Sequence, residues 1–346
     1  MIYLDNAATT VCKFPASSYD DIWGNANTPY KFGLNAKRAA DECREKVKEC
    51  LGVKGGKVIF CSNASEAAKI LCDRFYTHSL NNCMTVCDPY EHDSVYDFVD
   101  LHGYQFVHHN DCTAIFQQWV NPVTGTIFDI HSIRQAIGND CFLCMDATAG
   151  IGKCVLAQSI VSSVDAIWFS GHKFNGPKTG GILWVSDRLS KALYLSDDSR
   201  NEYGLKHGTL DVPSFIATTY ALDEAVTQEI DNVAHYAELN NYLSNRAGNK
   251  IVISNPYTKG QIDATVLIDT GCNADVLVQY LSSKGIYVGL AHSACSADAD
   301  YRVTQAFGIS KETAERYIRV SFSEDSTFED IDALINGIKE FKEKFV

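Results

Sequence analysis

The amino-acid sequence predicts an α/β protein: a large domain on a mostly parallel central sheet, joined to a smaller α+β domain. Three observations predict it. Short apolar runs alternate with helical patterns along the first part of the chain, the arrangement that builds parallel strands covered by helices. The 346 residues correspond to about two domains at a prior of ~150 residues each. A long helical stretch, ALDEAVTQEIDNVAHYAELNNYL, then separates this region from a second set of strands and puts a boundary near residues 230 to 235.

Taken in order, KVIFCS is an apolar strand, and EAAKILCDRFY after it carries its apolar residues at helical spacing. MTVCD and HDSVYDFVDLHG repeat the unit, and CFLCMDA is a buried strand that runs into a loop. DAIWFS and GILWV are two further strands. Beyond the boundary, IVISNP and ATVLIDT read as strands, ADVLVQYLSSKG as a helix and DIDALINGIKEFKEKF as an amphipathic C-terminal helix. In sheets of the parallel kind, ligands collect where the carboxyl ends of the strands meet loops.

Composition narrows the function. Hydrophobic residues make up 46% and charged residues 21%, an ordinary globular balance, and no apolar run approaches the ~18 residues that span a bilayer. The opening MIYLDNAATT lacks the basic and apolar regions of a signal peptide, so a cytoplasmic location is expected. A net charge of −13 argues against nucleic acid, whose binding depends on clustered Lys and Arg. The thirteen cysteines are odd in number and follow no export signal, so reduced thiols are expected. Cys141 and Cys144 form a C-x-x-C inside an apolar run with no second pair at zinc spacing; they read as core residues, and no metal is predicted.

Residues 171 to 181, GHKFNGPKTGG, nearly spell the phosphate-binding pattern G-x-x-x-x-G-K-[ST]. Pro177 spoils the spacing, and a strand follows where that pattern needs a helix. The strand ends suggest another use for a lysine. CFLCM delivers Asp146, and DAIWFS delivers Ser170, His172 and Lys173. A carboxylate near a lysine fits a plain salt bridge. It also fits pyridoxal 5'-phosphate (PLP), which a lysine holds as a Schiff base while a carboxylate keeps the pyridine nitrogen protonated. Ser62-Asn63-Ala64-Ser65 lies between a strand and a helix, where backbone amides suit a phosphate, although Ser and Asn there are also ordinary N-caps.

The chain resembles the cysteine desulfurases, the NifS/IscS-like branch of the class V aminotransferase family of fold-type I PLP-dependent enzymes. YLDNAATT, VIFCSNASEA, EHDSV, MDATAG, SGHKFNGPKTGG, HGTLDVP, HSACS and IRVSFSEDSTFEDID carry the resemblance nearly from end to end and in the family's order. It implies a fold-type I PLP-dependent transferase with a large PLP-binding domain at residues 14–230. Residues 1–13 and 231–346 form the small domain, which holds the catalytic cysteine loop.

Carried over residue by residue, the resemblance makes Lys173 the Schiff-base lysine and Asp146 the partner of the pyridine nitrogen. His92 stacks on the ring and assists proton transfers. Ser170, His172, Ala64 and Ser65 match phosphate ligands, and Thr209 matches a threonine that reaches the partner subunit's phosphate, so a homodimer is implied. Arg319 matches the arginine that pairs with the substrate carboxylate, and Cys295, in a polar small-residue loop, matches the cysteine that accepts sulfur.

Several positions depart from the family's pattern. Pro122 stands where an asparagine near the pyridoxal hydroxyl is usual, with Asn121 one place earlier as its substitute. Ala149 replaces a glutamine, Lys206 an arginine, His207 a serine and Glu324 a basic residue. The cysteine loop and the C-terminal tail are short. The implied activity converts L-cysteine to L-alanine and leaves the sulfur as a persulfide on Cys295, for an acceptor protein in iron-sulfur cluster assembly or another sulfur-transfer pathway. The alternatives are a selenocysteine lyase or aminotransferase on the same scaffold, or a non-catalytic PLP-binding protein.

Overall fold

The computed structural model describes residues 1–15, 21–78, 85–101, 113–196, 201–206, 208–247, 252–254, 260–292 and 301–345. Two compact units divide the chain. The smaller takes Met1–Thr10, Val120–Phe128 and Gln228–Val346; the larger takes Val11–Trp119 and Asp129–Thr227. Strands and helices are numbered along the chain, and β1 (Ile2–Leu4) belongs to the smaller unit.

In the larger unit, β2 (Lys57–Cys61), β3 (Thr85–Cys87), β4 (Ala114–Gln118), β5 (Phe142–Asp146), β6 (Ala166–Ser170) and β7 (Gly181–Val185) form one sheet in the order β2-β7-β6-β5-β4-β3. Neighbours from β3 to β6 pair in parallel, and β7 is antiparallel to both β6 and β2, so only β7 runs against the rest. Every residue of β4, β6 and β7 is buried. That explains the apolar runs of β6 and β7, since a sheet covered on both faces has no solvent side to supply polar alternation.

The helices of this unit are α1 (Lys31–Cys50), α2 (Ala64–His78), α3 (Asp93–Leu101), α4 (Ile130–Ile137), α5 (Gln158–Val161), α6 (Asp187–Ala192) and α7 (Val212–Thr227). Helix α2 places Ala67, Ala68, Leu71, Cys72 and Phe75 in one core with Ile59, Phe116 and Trp168, the helical spacing that a single apolar stripe requires. Cys141 and Cys144 are buried free thiols, as expected of core cysteines, and none of the ten described cysteines is disulfide-bonded.

The smaller unit has β1, β8 (Val252–Ser254), β9 (Thr265–Asp269), β10 (Ile286–Leu290) and β11 (Tyr317–Ser321) in the order β1-β10-β11-β9-β8. β1 runs parallel to β10 and the other pairs are antiparallel. Its helices are α8 (Glu229–Ala247), α9 (Ala274–Ser283), α10 (Arg302–Ala306), α11 (Lys311–Ala314) and α12 (Phe328–Phe345). Helix α12 buries Ile331, Leu334, Ile335, Ile338 and Phe341. At its start the Asp330 amide donates to Thr327 Oγ1 at 3.2 Å and the Thr327 amide to Asp330 Oδ2 at 3.0 Å, a reciprocal cap.

Residues 120–128, which fall within the larger domain expected from the sequence, belong to the smaller unit. Ile127 N donates to Gly260 O at 3.0 Å, Ile262 N to Gly125 O at 2.9 Å and Gln261 Nε2 to Thr124 O at 2.6 Å. These partners lie far apart in the chain, and no composition shift marks the exchange. Among the described residues, no helix is long and apolar enough to cross a membrane.

Candidate active site

In the larger unit, strand register collects the chemistry-bearing residues at one edge of the sheet. Asp146 ends β5 and is paired with Gln118 at the end of β4 and with Trp168 on β6. Ser170 ends β6, where it pairs with Gly181, and Gly181 also pairs with Cys61 at the end of β2. A tight turn, Gly171–Lys173, follows β6, so Ser170, His172 and Lys173 leave the sheet together. Lys173 is 6% exposed and Asp146 7%. Lys153, also buried, donates from Nζ to the Lys173 carbonyl at 2.7 Å and fixes the backbone of that turn.

The electrostatics bind these groups into one cluster. Burial pushes the Asp146 carboxyl above the ordinary aspartate range; hydrogen bonds from Thr148 and the positive fields of His92 and Lys173 pull it back in part. Thr148 N donates to Asp146 Oδ1 at 2.8 Å. Burial likewise drives His172 down to about 4, helped by Lys173, Lys153 and Lys178, so its ring is neutral at neutral pH. His92 precedes α3, and its Nδ1 accepts from Ser94 N at 3.2 Å. A neutral His92 therefore carries its proton on Nε2.

Beside His92 lies Glu91, with 0% exposure. Its Oε1 accepts from the Gln118 amide, while its Oε2 has no hydrogen-bond partner among the described residues. Burial, then the Asp146 carboxylate, push its pKa well above the glutamate range.

The start of α2 lies beside the same edge. Asn63 Oδ1 accepts from Glu66 N at 2.9 Å and so caps the helix; the cap reading of this motif is correct for Asn63. The Glu66 carboxylate turns back to Ser62 N and pairs with Lys206 Nζ at 3.0 Å. The amides of Ala64 and Ser65 stand in the first turn, where a helix offers no internal acceptor. A Cβ on Gly181 would come within 2.6 to 2.7 Å of Asn63 backbone atoms; only glycine lets β7 pass this close to the helix start. Thr209 is exposed.

In the smaller unit, Arg319 of β11 is 1% exposed. Its Nη2 donates to Asp5 Oδ1 at 2.9 Å and its Nη1 to Pro122 O at 3.3 Å. Its Nε is buried with no acceptor among the described residues. Asn121 is buried, and its Oδ1 accepts from Val123 N and Thr124 N, each at 2.9 Å. That oxygen builds its own turn.

The larger unit thus brings Asp146, Lys173, His172, Ser170, His92, Ala64 and Ser65 to one sheet edge. Arg319 and Asn121 belong to the smaller unit. Cys295 and His207 lie outside the described residues. Lys153, Glu91 and Asp5 carry no assigned role in the sequence reading. Only the adjacency of Glu91 to His92, and the place of Asp5 inside the N-terminal YLDNAATT motif, could have marked them.

Such a sheet, with a buried lysine and aspartate at its carboxyl edge, defines a class. The chain belongs to the Aminotransferase class-V family, whose profile matches residues 2–101 and 96–334, and it has the fold of the fold-type I PLP-dependent transferases. Among curated relatives, cysteine desulfurase IscS of Buchnera aphidicola subsp. Schizaphis graminum is 27% identical, with 97% of this chain and 91% of that protein covered. A NifS/IcsS protein homolog of Lactobacillus delbrueckii subsp. bulgaricus is 27% identical over 100% of this chain and 98% of its own. Among solved structures, a NifS-like protein superposes with a TM-score of 0.86 at 23% identity, covering 99% of both chains.

Proposed function

We propose that this chain is a PLP-dependent cysteine desulfurase that converts L-cysteine to L-alanine and keeps the sulfur as a persulfide. The observation that carries the reading is the buried Asp146 with Lys173 in its field at the sheet edge. A carboxylate that burial disfavours needs a cation beside it, and a protonated ring nitrogen is such a cation. The residues therefore fit the cofactor: Lys173 Nζ as its covalent anchor, Asp146 at the ring nitrogen, and Ser170, His172 and the Ala64–Ser65 amides at its phosphate. When bound, PLP supplies an electron-withdrawing ring that stabilises negative charge at the α-carbon of an amino acid.

Each residue then has a stated task. Arg319, with a buried N–H that lacks an acceptor, holds the substrate carboxylate. Lys173, once its amine is released, removes the α-proton, and its backbone is steadied by Lys153. His92 passes a proton through Nε2. The Cys295 thiolate attacks the substrate sulfur; the C–S electron pair stays with carbon, which is protonated to give alanine, and Cys295 holds the persulfide. A homodimer, in which Thr209 serves the neighbouring phosphate, and an acceptor protein for the sulfur, as in iron-sulfur cluster assembly, complete the proposal. The expected location is the cytoplasm.

Single-turnover mass spectrometry with L-cysteine tests this. The expected result is one added sulfur on the Cys295 peptide with alanine released, no persulfide on Cys295→Ser, and neither product from Lys173→Ala. A PLP-bearing protein that gives neither product from cysteine would overturn it and turn the search to selenocysteine or to amine and keto-acid pairs.

A further inference from the structure

The pair that holds Arg319 is built across three separate stretches of the smaller unit. Asp5 follows β1, Arg319 lies in β11, and Gly289 of β10 is the strand partner of Arg319. A Cβ on Gly289 would stand 2.5 Å from Asp5 Oδ1, 2.9 Å from Arg319 Nη2 and 3.1 Å from Nε. The Asp5–Arg319 bond of 2.9 Å therefore runs through space that any other residue at 289 would fill. Asp5 is itself held from several sides. The Ala8 and Thr9 amides donate to its carbonyl at 3.0 and 3.4 Å, as does the Tyr3 hydroxyl at 3.1 Å, and Asp5 bridges to Ser321. Asn6 Nδ2 adds a bond to Ser321 O at 3.0 Å, and Ala7 N one to Ser321 Oγ at 2.7 Å.

Two of the five guanidinium N–H groups are thus spoken for by Asp5 and Pro122, whereas the buried Nε–H has no acceptor among the described residues. A structural ion pair would be expected to satisfy every buried donor. This one fixes the guanidinium and leaves donor capacity over.

We infer that Asp5 is a positioning residue for substrate binding: through the gap at Gly289 it orders the Arg319 guanidinium in advance to receive a carboxylate. The inference rests on the reading of Arg319 as the carboxylate site. Ordering a long flexible side chain before the ligand arrives removes that cost from binding. The bond itself needs only an accepting oxygen on residue 5. Asparagine should therefore replace Asp5, and alanine should not.

The test uses the holoenzyme and its Asp5→Ala, Asp5→Asn, Gly289→Ala and Arg319→Lys variants. Steady-state KM and kcat for L-cysteine are measured, with the Kd of L-alanine from the change in cofactor absorbance and the thermal midpoint of each protein. Asp5→Ala and Gly289→Ala should raise KM and the alanine Kd about tenfold with kcat within about twofold, the signature of lost uniform binding. Asp5→Asn should stay within about threefold of wild type. Arg319→Lys should raise both constants at least as far as Asp5→Ala.

If Arg319→Lys weakens carboxylate binding while Asp5→Ala does not, the positioning role is refuted and the carboxylate site stands. Unchanged constants in Arg319→Lys remove the site and the inference together. Should Asp5→Ala fail to fold, Gly289→Ala against Asp5→Asn decides: equal constants in those two variants refute the inference.

Discussion

Replacing Asp146 with asparagine should move stability and activity in opposite directions. The side chain is buried, and Oδ1 accepts from Thr148 N at 2.8 Å, a bond that an amide oxygen preserves. What the substitution removes is a charge. Burial raises the Asp146 pKa, and Thr148, His92 and Lys173 restore only part of that loss. Burial disfavours that charge in the folded protein, so the cofactor-free Asp146→Asn protein should be more stable than wild type at neutral pH.

The sign follows from linkage. A native pKa above the unfolded value of about 3.9 means that the native state binds more protons between the two, so stability falls as pH rises through that window. The advantage of the variant is therefore absent below about pH 4 and complete above the native pKa of Asp146. In the holoenzyme the same change removes the anion that keeps the ring nitrogen protonated, and turnover should fall by about a thousandfold or more, roughly 4 kcal/mol of barrier. Urea melts of apoprotein from acidic to neutral pH, together with single-turnover alanine release, measure both. An apo variant less stable than wild type at neutral pH, or turnover within about tenfold of it, refutes the reasoning.

Three further outcomes are expected. Glu91 is fully buried with its pKa pushed well up, so Glu91→Gln, which mimics the neutral acid, should change stability by less than about 1 kcal/mol in a urea melt, whereas Glu91→Ala, which removes the oxygen that accepts from the Gln118 amide and leaves a cavity, should cost about 2 kcal/mol. Arg44 pairs with Glu202, whose side chain is completely buried and whose other oxygen accepts from Phe60 N at 2.7 Å; Arg44→Ala should destabilise by about 3–5 kcal/mol by leaving that carboxylate unpaired. Gly181→Ala drives a methyl against the Asn63 backbone, and titration of apoprotein with PLP should show a Kd raised about tenfold. An unchanged Kd would detach the α2 start from the phosphate site.

The layers of the fold were legible because each rests on local pattern. The apolar runs of β5, β6 and β7, and the stripe from Ala67 to Phe75, state in a few residues which faces are buried. Asp146 and Lys173 were legible for a related reason: each ends or follows a readable strand, and parallel register carries strand ends to a common edge. Asn63 showed the limit of such reading. Its position fits a phosphate loop and a helix cap equally, and the bond to Glu66 N settles it as a cap.

What the sequence hid depends on partners set by register and not by spacing. Asp5 meets Arg319 across 314 positions, and nothing near either residue announces the other. Pro122 stood out in the sequence as a missing side chain, yet its carbonyl is what Arg319 Nη1 contacts; a backbone acceptor is available whatever residue supplies it, so residue identity carries no signal. Glu91 and Asp146 are a similar case. Parallel pairing puts Gln118 opposite Asp146, and Glu91 accepts from the Gln118 amide, so the Asp146 carboxylate acts on Glu91. Two like charges that act on each other in a dry site do not ionise together. Burial, then the Asp146 charge, push Glu91 well up, so Glu91 is the neutral member and Asp146 is left as the carboxylate able to carry charge at the edge of the sheet.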